Sequence, residues 1–158
     1  MSNDMTRENL ERALFAAAGA GRASEVEELL GQGVAVDVVI VDGYQPLHYA
    51  AVMGRKEVVG LLVARGAKVD AADRHRWRPL HYAASGKHRG VVTFLLGHGA
   101  NPVALNKDGK TPGDLCKNAE IRTLLKKAER TWREREALAA HRRRQRWLGS
   151  LRPKVPTL

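Results

Sequence analysis

Apolar and polar positions recur along the chain with a period of 33 residues. Pro46, Pro79 and Pro112 mark this period, and segments 46–51 and 79–84 share the order Pro-Leu-His-Tyr-Ala-Ala. A proline suits the first turn of a helix because the N–H that it lacks would be unpaired there anyway. The pattern therefore predicts short helices in every period, each stacked on its counterpart in the next period.

The periodic segment covers most of the chain. Gly33, Gly66 and Gly99 stand one period apart. We predict a disordered N-terminus and four repeats, at residues 1–8 and then 9–40, 41–73, 74–106 and 107–128. The period and the Pro-Leu-His sequence resemble the ankyrin repeat, a β-turn followed by two antiparallel helices. This resemblance implies an all-α repeat solenoid, and the pattern beyond it predicts an extended C-terminal helix.

Composition agrees with a solenoid and gives no sign of catalysis. The chain has 44% apolar but only 5% aromatic residues, which suits thin layers of Ala, Leu and Val. Cys116 is its one cysteine, and no Cys/His spacing typical of a zinc site occurs. We find no nucleophile beside a base and no phosphate-binding loop, so we expect no enzyme, cofactor, metal or small-molecule substrate. We also expect no membrane association, and a location in the cytoplasm, the nucleus or both.

The resemblance implies that a partner docks on the tips of the hairpins and on the concave face of the first helices. Counting from each proline places Tyr44, Trp77 and Lys110 at the tips. The full set of predicted partner-binding residues is Tyr44, Tyr49, Met53, Arg74, Arg76, Trp77, Arg78, Tyr82 and Lys110. Tyr, Trp and Arg dominate interface hot spots. The alternative is that some of these aromatic side chains pack between neighbouring tips.

Several residues depart from the family pattern. Gln45 and Arg78 replace the threonine that precedes the proline, and Arg76 replaces a turn glycine. Arginine at that turn is either strained or forces a different turn, because it disfavours a positive φ. Gly113 replaces a core leucine, which predicts a small gap in the last repeat. His48 and His81 are expected to tie loops together rather than bind a metal.

The helical pattern continues past the last repeat as a basic extension at 129–148, followed by an extended arm at 149–158. Trp132 is expected to cover the open end of the stack. Residues 129–158 hold nine Lys+Arg and three Glu, a net charge of +6. The basic tail consists of Arg142, Arg143, Arg144, Arg146 and Trp147. Such a run is typical of an import signal, a nucleic-acid contact, a helix that docks on an acidic protein surface, or a solvated helix end.

These patterns favour a protein-interaction scaffold or adaptor, with the basic tail as a second anchor. The alternative is a nucleic-acid-associated protein or ribonucleoprotein subunit that uses the arginines of the tail.

Overall fold

The computed structural model describes the backbone of residues 2–151 and the side chains of residues 6–151. The helices of this part are α1 (Ser2–Ala20), α2 (Ala23–Gly31), α3 (Pro46–Val52), α4 (Lys56–Ala64), α5 (Pro79–Ser85), α6 (Arg89–Gly97), α7 (Pro112–Leu115) and α8 (Ala119–Ser150). They follow one another as four helix-turn-helix pairs, and the described residues contain no strand. The all-α repeat fold and its C-terminal helix are confirmed.

The helices form two layers. Inner helices α1, α3, α5 and α7 contact one another in order, and outer helices α2, α4, α6 and α8 do the same. Inner helices α1, α3 and α5 each place one fully buried leucine between repeats: Leu14, Leu47 and Leu80. The alanine pair that follows is also buried in repeats two and three, which lets the inner helices approach closely. Removing one such leucine would cost about 2–5 kcal/mol, as is usual in a close-packed core.

The turn between the helices of a pair requires a left-handed residue. Gly21 and Gly54 have φ angles of 79° and 69° there, and Lys87 adopts φ 62° at the same position of the third repeat. The tip of the third repeat shows the same substitution. Arg76 has φ 59°, where Gly43 and Gly109 have 78° and 68°. The third repeat therefore keeps the common turns and accepts backbone strain, rather than adopting different ones.

Both ends of the chain differ from the sequence-based expectation. Helix α1 begins at Ser2, within the segment 1–8 that the sequence analysis assigned to a disordered N-terminus. Ion pairs of i,i+4 spacing, such as Arg12 with Glu8, support this first part of the helix. Gly149 does not end α8, which runs on to Ser150. The rest of the predicted arm, from residue 152, lies outside the described residues.

The last repeat is shortened. Helix α7 has four residues, against seven in α3 and α5. The turn between α7 and α8 is short because Asn118 caps the start of α8: its side-chain oxygen accepts the Ile121 N–H at 3.0 Å. The outer helix thus begins seven residues after Pro112, where α4 and α6 begin ten residues after their prolines.

The predicted gap at Gly113 is filled by a carboxylate. Glu129 is 3% exposed, and a Cβ on Gly113 would lie 2.7 Å from its Oε1. That oxygen accepts the Thr111 hydroxyl at 3.0 Å, and Oε2 accepts Lys126 Nζ at 3.2 Å. Lys126 also binds Asp114 at 3.0 Å. A polar network therefore occupies the place of the expected core leucine.

Gly113→Leu should consequently lower the free energy of unfolding, by about 1–3 kcal/mol, because the new side chain displaces the Glu129 carboxylate from its partners. Urea denaturation of the full chain measures this change. Gly149→Leu is the control, since a Cβ there meets nothing within 4 Å. Equal or greater stability of Gly113→Leu would contradict the role assigned to Glu129.

Lys87→Gly should raise the free energy of unfolding by about 0.5–1 kcal/mol. Relief of the left-handed strain of Lys87 outweighs the added freedom of glycine in the unfolded chain. Lys87→Ala keeps the Cβ and should show no such gain. If both variants changed stability equally, the lysine side chain rather than the backbone would control this position.

Candidate functional site

The loops between successive helix pairs project as hairpin fingers, with tips at 40–44, 73–77 and 106–110. In the second finger, the Asp73 N–H donates to the Trp77 carbonyl at 2.9 Å. The Asp73 carboxylate also accepts the N–H groups of His75 and Trp77, at 2.8 and 2.9 Å. Asn106 organises the third finger in the same way, by accepting the N–H groups of Asp108 and Lys110 at 2.9 Å each.

Neighbouring fingers are tied by single backbone hydrogen bonds. The Arg74 N–H donates to the Asp42 carbonyl at 2.7 Å, and one period on the Lys107 N–H donates to the His75 carbonyl at 3.0 Å. The first finger is less regular, because Ile40 stands where Asp73 and Asn106 stand one and two periods later. Its side chain, 45% exposed, cannot accept the turn N–H groups.

Two buried histidines join the inner helices to the next finger. His48 Nδ1 accepts the Gln45 N–H at 3.0 Å, so Nε2 carries the proton and donates to the Ala71 carbonyl at 2.8 Å. His81 repeats this arrangement: Nδ1 accepts the Arg78 N–H at 3.1 Å. Its Nε2 lies 3.1 and 3.2 Å from the carbonyls of the third finger. The expected structural role of both histidines agrees with these bonds, all of which are made to backbone atoms.

The four predicted aromatic residues lie together in one row across the second and third repeats. Tyr44 meets Tyr49 at 6.3 Å and Tyr82 at 5.4 Å, and Trp77 meets Tyr82 at 4.9 Å between ring centroids. All four are half-buried. One side of each ring therefore packs between the fingers, which agrees with the alternative that these aromatic residues serve as packing. The other side remains exposed to a partner.

The aromatic row also makes a polar contact with Asp73. The Tyr82 hydroxyl donates to Asp73 Oδ2 at 2.5 Å. Burial and this carboxylate raise the pKa of Tyr82 above its ordinary value. Burial, with Tyr49 and Asp73 nearby, raises the pKa of Tyr44 to about 12. Both phenols therefore stay neutral at any physiological pH, and the Tyr82 hydroxyl keeps its hydrogen bond to Asp73.

The predicted basic residues of the site divide into paired and unpaired groups. Arg74 pairs with Asp42 at 2.7 Å, and Arg78 lies 3.6 Å from Asp70. Arg76 is exposed at the tip and forms no ion pair within the described part of the chain. Its charge is therefore the one at this tip that a partner could use without breaking an existing bridge.

Met53 and Lys110 extend the surface on either side. Met53 follows the last residue of α3 and is 42% exposed. Lys110 is exposed on the third finger, at the position that Trp77 holds on the second. The end of α3 thus adds an exposed apolar side chain, and the third finger adds a cation.

The basic tail forms a separate surface on α8. Its members Arg142, Arg143, Arg144, Arg146 and Trp147 are all exposed. Trp147 has 61% of its surface open, and Arg143 lies 4.0 Å from Glu136. No residue of α8 after Glu129 is buried, and all residues from 140 to 150 are exposed, so this end of the helix projects from the repeats.

Sequence reasoning missed two apolar surfaces. Val39 and Leu105, which lie two periods apart, are 49% and 47% exposed on the sides of the first and third fingers. The 33-residue register alone could have shown this recurrence. Trp132 is half-buried and, with Leu96 and Pro102, lines an open groove between α6 and α8. The groove could not be foreseen, because it depends on the shortened turn before α8.

Comparison with protein families decides the class of fold. The family model described as ankyrin repeats (3 copies) matches residues 2–73, and that of the single ankyrin repeat matches residues 75–107. The chain belongs to the ankyrin repeat family. No curated protein matches it significantly. The family matches end before α7, where this ankyrin repeat protein departs most from the repeat pattern.

Two further properties concern the described residues of this ankyrin protein. No cluster of three or more His, Cys, Asp or Glu side chains is arranged there to hold a metal ion. None of the described helices combines the length and apolar character needed to cross a membrane.

The buried histidines predict a loss of stability in mild acid. Burial is the main cause that lowers the pKa of both His48 and His81 in the folded protein, so the unfolded chain binds protons that the folded chain refuses. The free energy of unfolding should be level above about pH 7 and should decline below about pH 6.5. Urea titrations between about pH 8 and pH 5 measure this decline.

Asp114 does not interfere in this window. Hydrogen bonds from Thr111 and Lys126 lower its pKa to about 2, so its contribution is lost only below about pH 4. His81→Gln should flatten the pH dependence, whereas His141→Gln, on the exposed part of α8, should leave it unchanged. An unaltered slope in His81→Gln would contradict the assignment.

Proposed function

We propose that this ankyrin repeat protein is a non-enzymatic adaptor. It binds one protein partner through its fingers and inner-helix face, and it holds a second partner through its basic tail. Ankyrin repeats are generally protein-interaction modules, which supports the first part of the proposal. We further propose that it acts in the cytoplasm, the nucleus or both.

The observation that carries the proposal is the tip of the second finger. Arg76 is held in a left-handed conformation that glycine would adopt at less cost, exposed and next to the half-buried Trp77. Strain of this kind often marks function. Together with Tyr44 and Tyr82, the tip offers the aromatic and arginine chemistry that dominates protein interfaces.

Nucleic acid is a second candidate for the tail alone. The exposed arginines at 142–144 and 146 would neutralise phosphates, and such binding would weaken steeply with salt. The finger surface gives no support to this reading, because two of its three arginines are already paired with carboxylates.

Arg76→Glu tests the adaptor function. The tagged full chain is purified from its own cells with and without nuclease, and bound proteins are quantified by mass spectrometry. We expect a nuclease-resistant protein whose recovery falls at least about fivefold in Arg76→Glu, because the substitution reverses the unpaired charge at the tip. Lys56→Glu, an equal charge reversal at the first residue of α4, is the control and should retain this protein.

Equal recovery from wild type and Arg76→Glu would refute the finger site. If nuclease removes every bound protein, the adaptor proposal is wrong and binding to nucleic acid through the tail is favoured instead. Thermal denaturation of Arg76→Glu verifies that the repeats remain folded.

A further inference from the structure

The open end of the repeat stack carries a groove of about 350 Å³ between α6, the loop that follows it and α8. Leu96, Pro102 and Trp132 supply its apolar wall. Leu96 and Trp132 are only half-buried, so apolar surface remains uncovered. Lys127 and Arg135 also line the groove, and both are exposed.

The groove does not stop where the repeats end. Arg135 also belongs to the lining of a second depression along α8, together with Leu138, Arg142 and Arg146. A single helix face therefore runs from the body of the protein into the basic tail. Its members recur every three or four residues: Leu124, Ala128, Trp132, Arg135, Leu138 and Arg142. We call this face the α8 stripe.

The α8 stripe combines apolar and basic side chains and carries no acid. Leu138 is 51% exposed and has no cover from the repeats. The glutamates of residues 133–150 are Glu134 and Glu136, neither of which lines the two depressions. Residues 133–150 hold six arginines against these two glutamates, a net charge of +4.

We propose that the α8 stripe and its groove are a docking site for an acidic amphipathic helix of a partner protein. Apolar side chains of that helix enter the groove against Trp132 and follow Leu138. Its carboxylates pair with Lys127, Arg135 and Arg142. This is the helix-in-groove mode of recognition, with charges setting the orientation. The site specifies the second anchor of the proposed function and rests on it to that extent.

The chemistry of the stripe disfavours the other occupants. A second copy of this chain would bring arginines against arginines in a symmetric pair, since no acidic side chain of the stripe could match them. A phosphate backbone needs the cations but has no use for the recessed apolar wall formed by Leu96 and Pro102. An acidic helix with an apolar face uses both parts of the surface.

The test uses a designed helical peptide of about 20 residues, long enough to form several turns on a surface. Leucines at i, i+3 and i+4 spacing form one face, and glutamates fill the others. Binding of the labelled peptide to the full chain is measured by fluorescence anisotropy. We expect saturable binding that is lost when the leucines of the peptide are replaced by serine.

Matched substitutions in the protein locate the site. Lys127→Glu lies in the groove, Arg142→Glu and Leu138→Ser lie on the α8 stripe, and each should weaken binding at least about tenfold. Arg122→Glu, Arg144→Glu and Leu148→Ser make the same changes on other faces of α8, and each should weaken it less than about twofold. All six positions are exposed, so the fold tolerates the changes.

Four outcomes would overturn the proposal. The peptide does not bind, its serine version binds as well, the off-stripe variants lose as much as the on-stripe ones, or a single-stranded RNA of similar length competes and depends on the same residues. Arg76→Glu should bind the peptide like wild type. Failure of the finger site and failure of the α8 stripe are therefore separable.

Discussion

Each buried histidine makes the bond on which the stack depends. It accepts from the backbone at the start of its own helix and donates to the next loop, so one ring fixes both the helix entry and the neighbouring finger. The bond works only for the neutral imidazole, because a proton on Nδ1 would face an N–H donor. The fully buried ring of His48 is held without a threonine, while the Gln45 side-chain oxygen stays unbonded.

Where this bond is missing, the protein changes its construction. Asp114 occupies the place of His48 and His81 in the last repeat and forms a capping box with Thr111 instead, its carboxylate accepting the Thr111 N–H at 2.9 Å. A capping box secures its own helix but reaches no further loop. Glu129 instead links the end of the stack to α8. Burial of its carboxylate is tolerated because both of its oxygens are hydrogen-bonded.

The repeat register could be predicted because one period governs both the turns and the core, and most of the site residues followed from it. The docking face that the ankyrin resemblance implies, with positions counted from the prolines, predicted that Tyr44, Trp77 and Tyr82 lie on one side, and their ring contacts agree with this. The features that the repeat period did not predict lie in the parts of the chain that depart from it. The role of Glu129 depends on a contraction before α8 that no repeated residue marks. The early start of α1 depends on local pairs such as Arg12 with Glu8 rather than on the repeat pattern.

Helix α8 passes without a break from the last repeat to Ser150, and its 32 residues span about 48 Å. A flexible linker with the same number of residues would let its end sample many positions, which would lower the effective concentration of anything bound there. A continuous helix instead holds its far end at a set distance and direction from the fingers. Two molecules bound at the two ends would meet at a high effective concentration only if their own geometry matched that span. The protein would then act as a rigid spacer that selects pairs of partners whose binding sites match the length of α8.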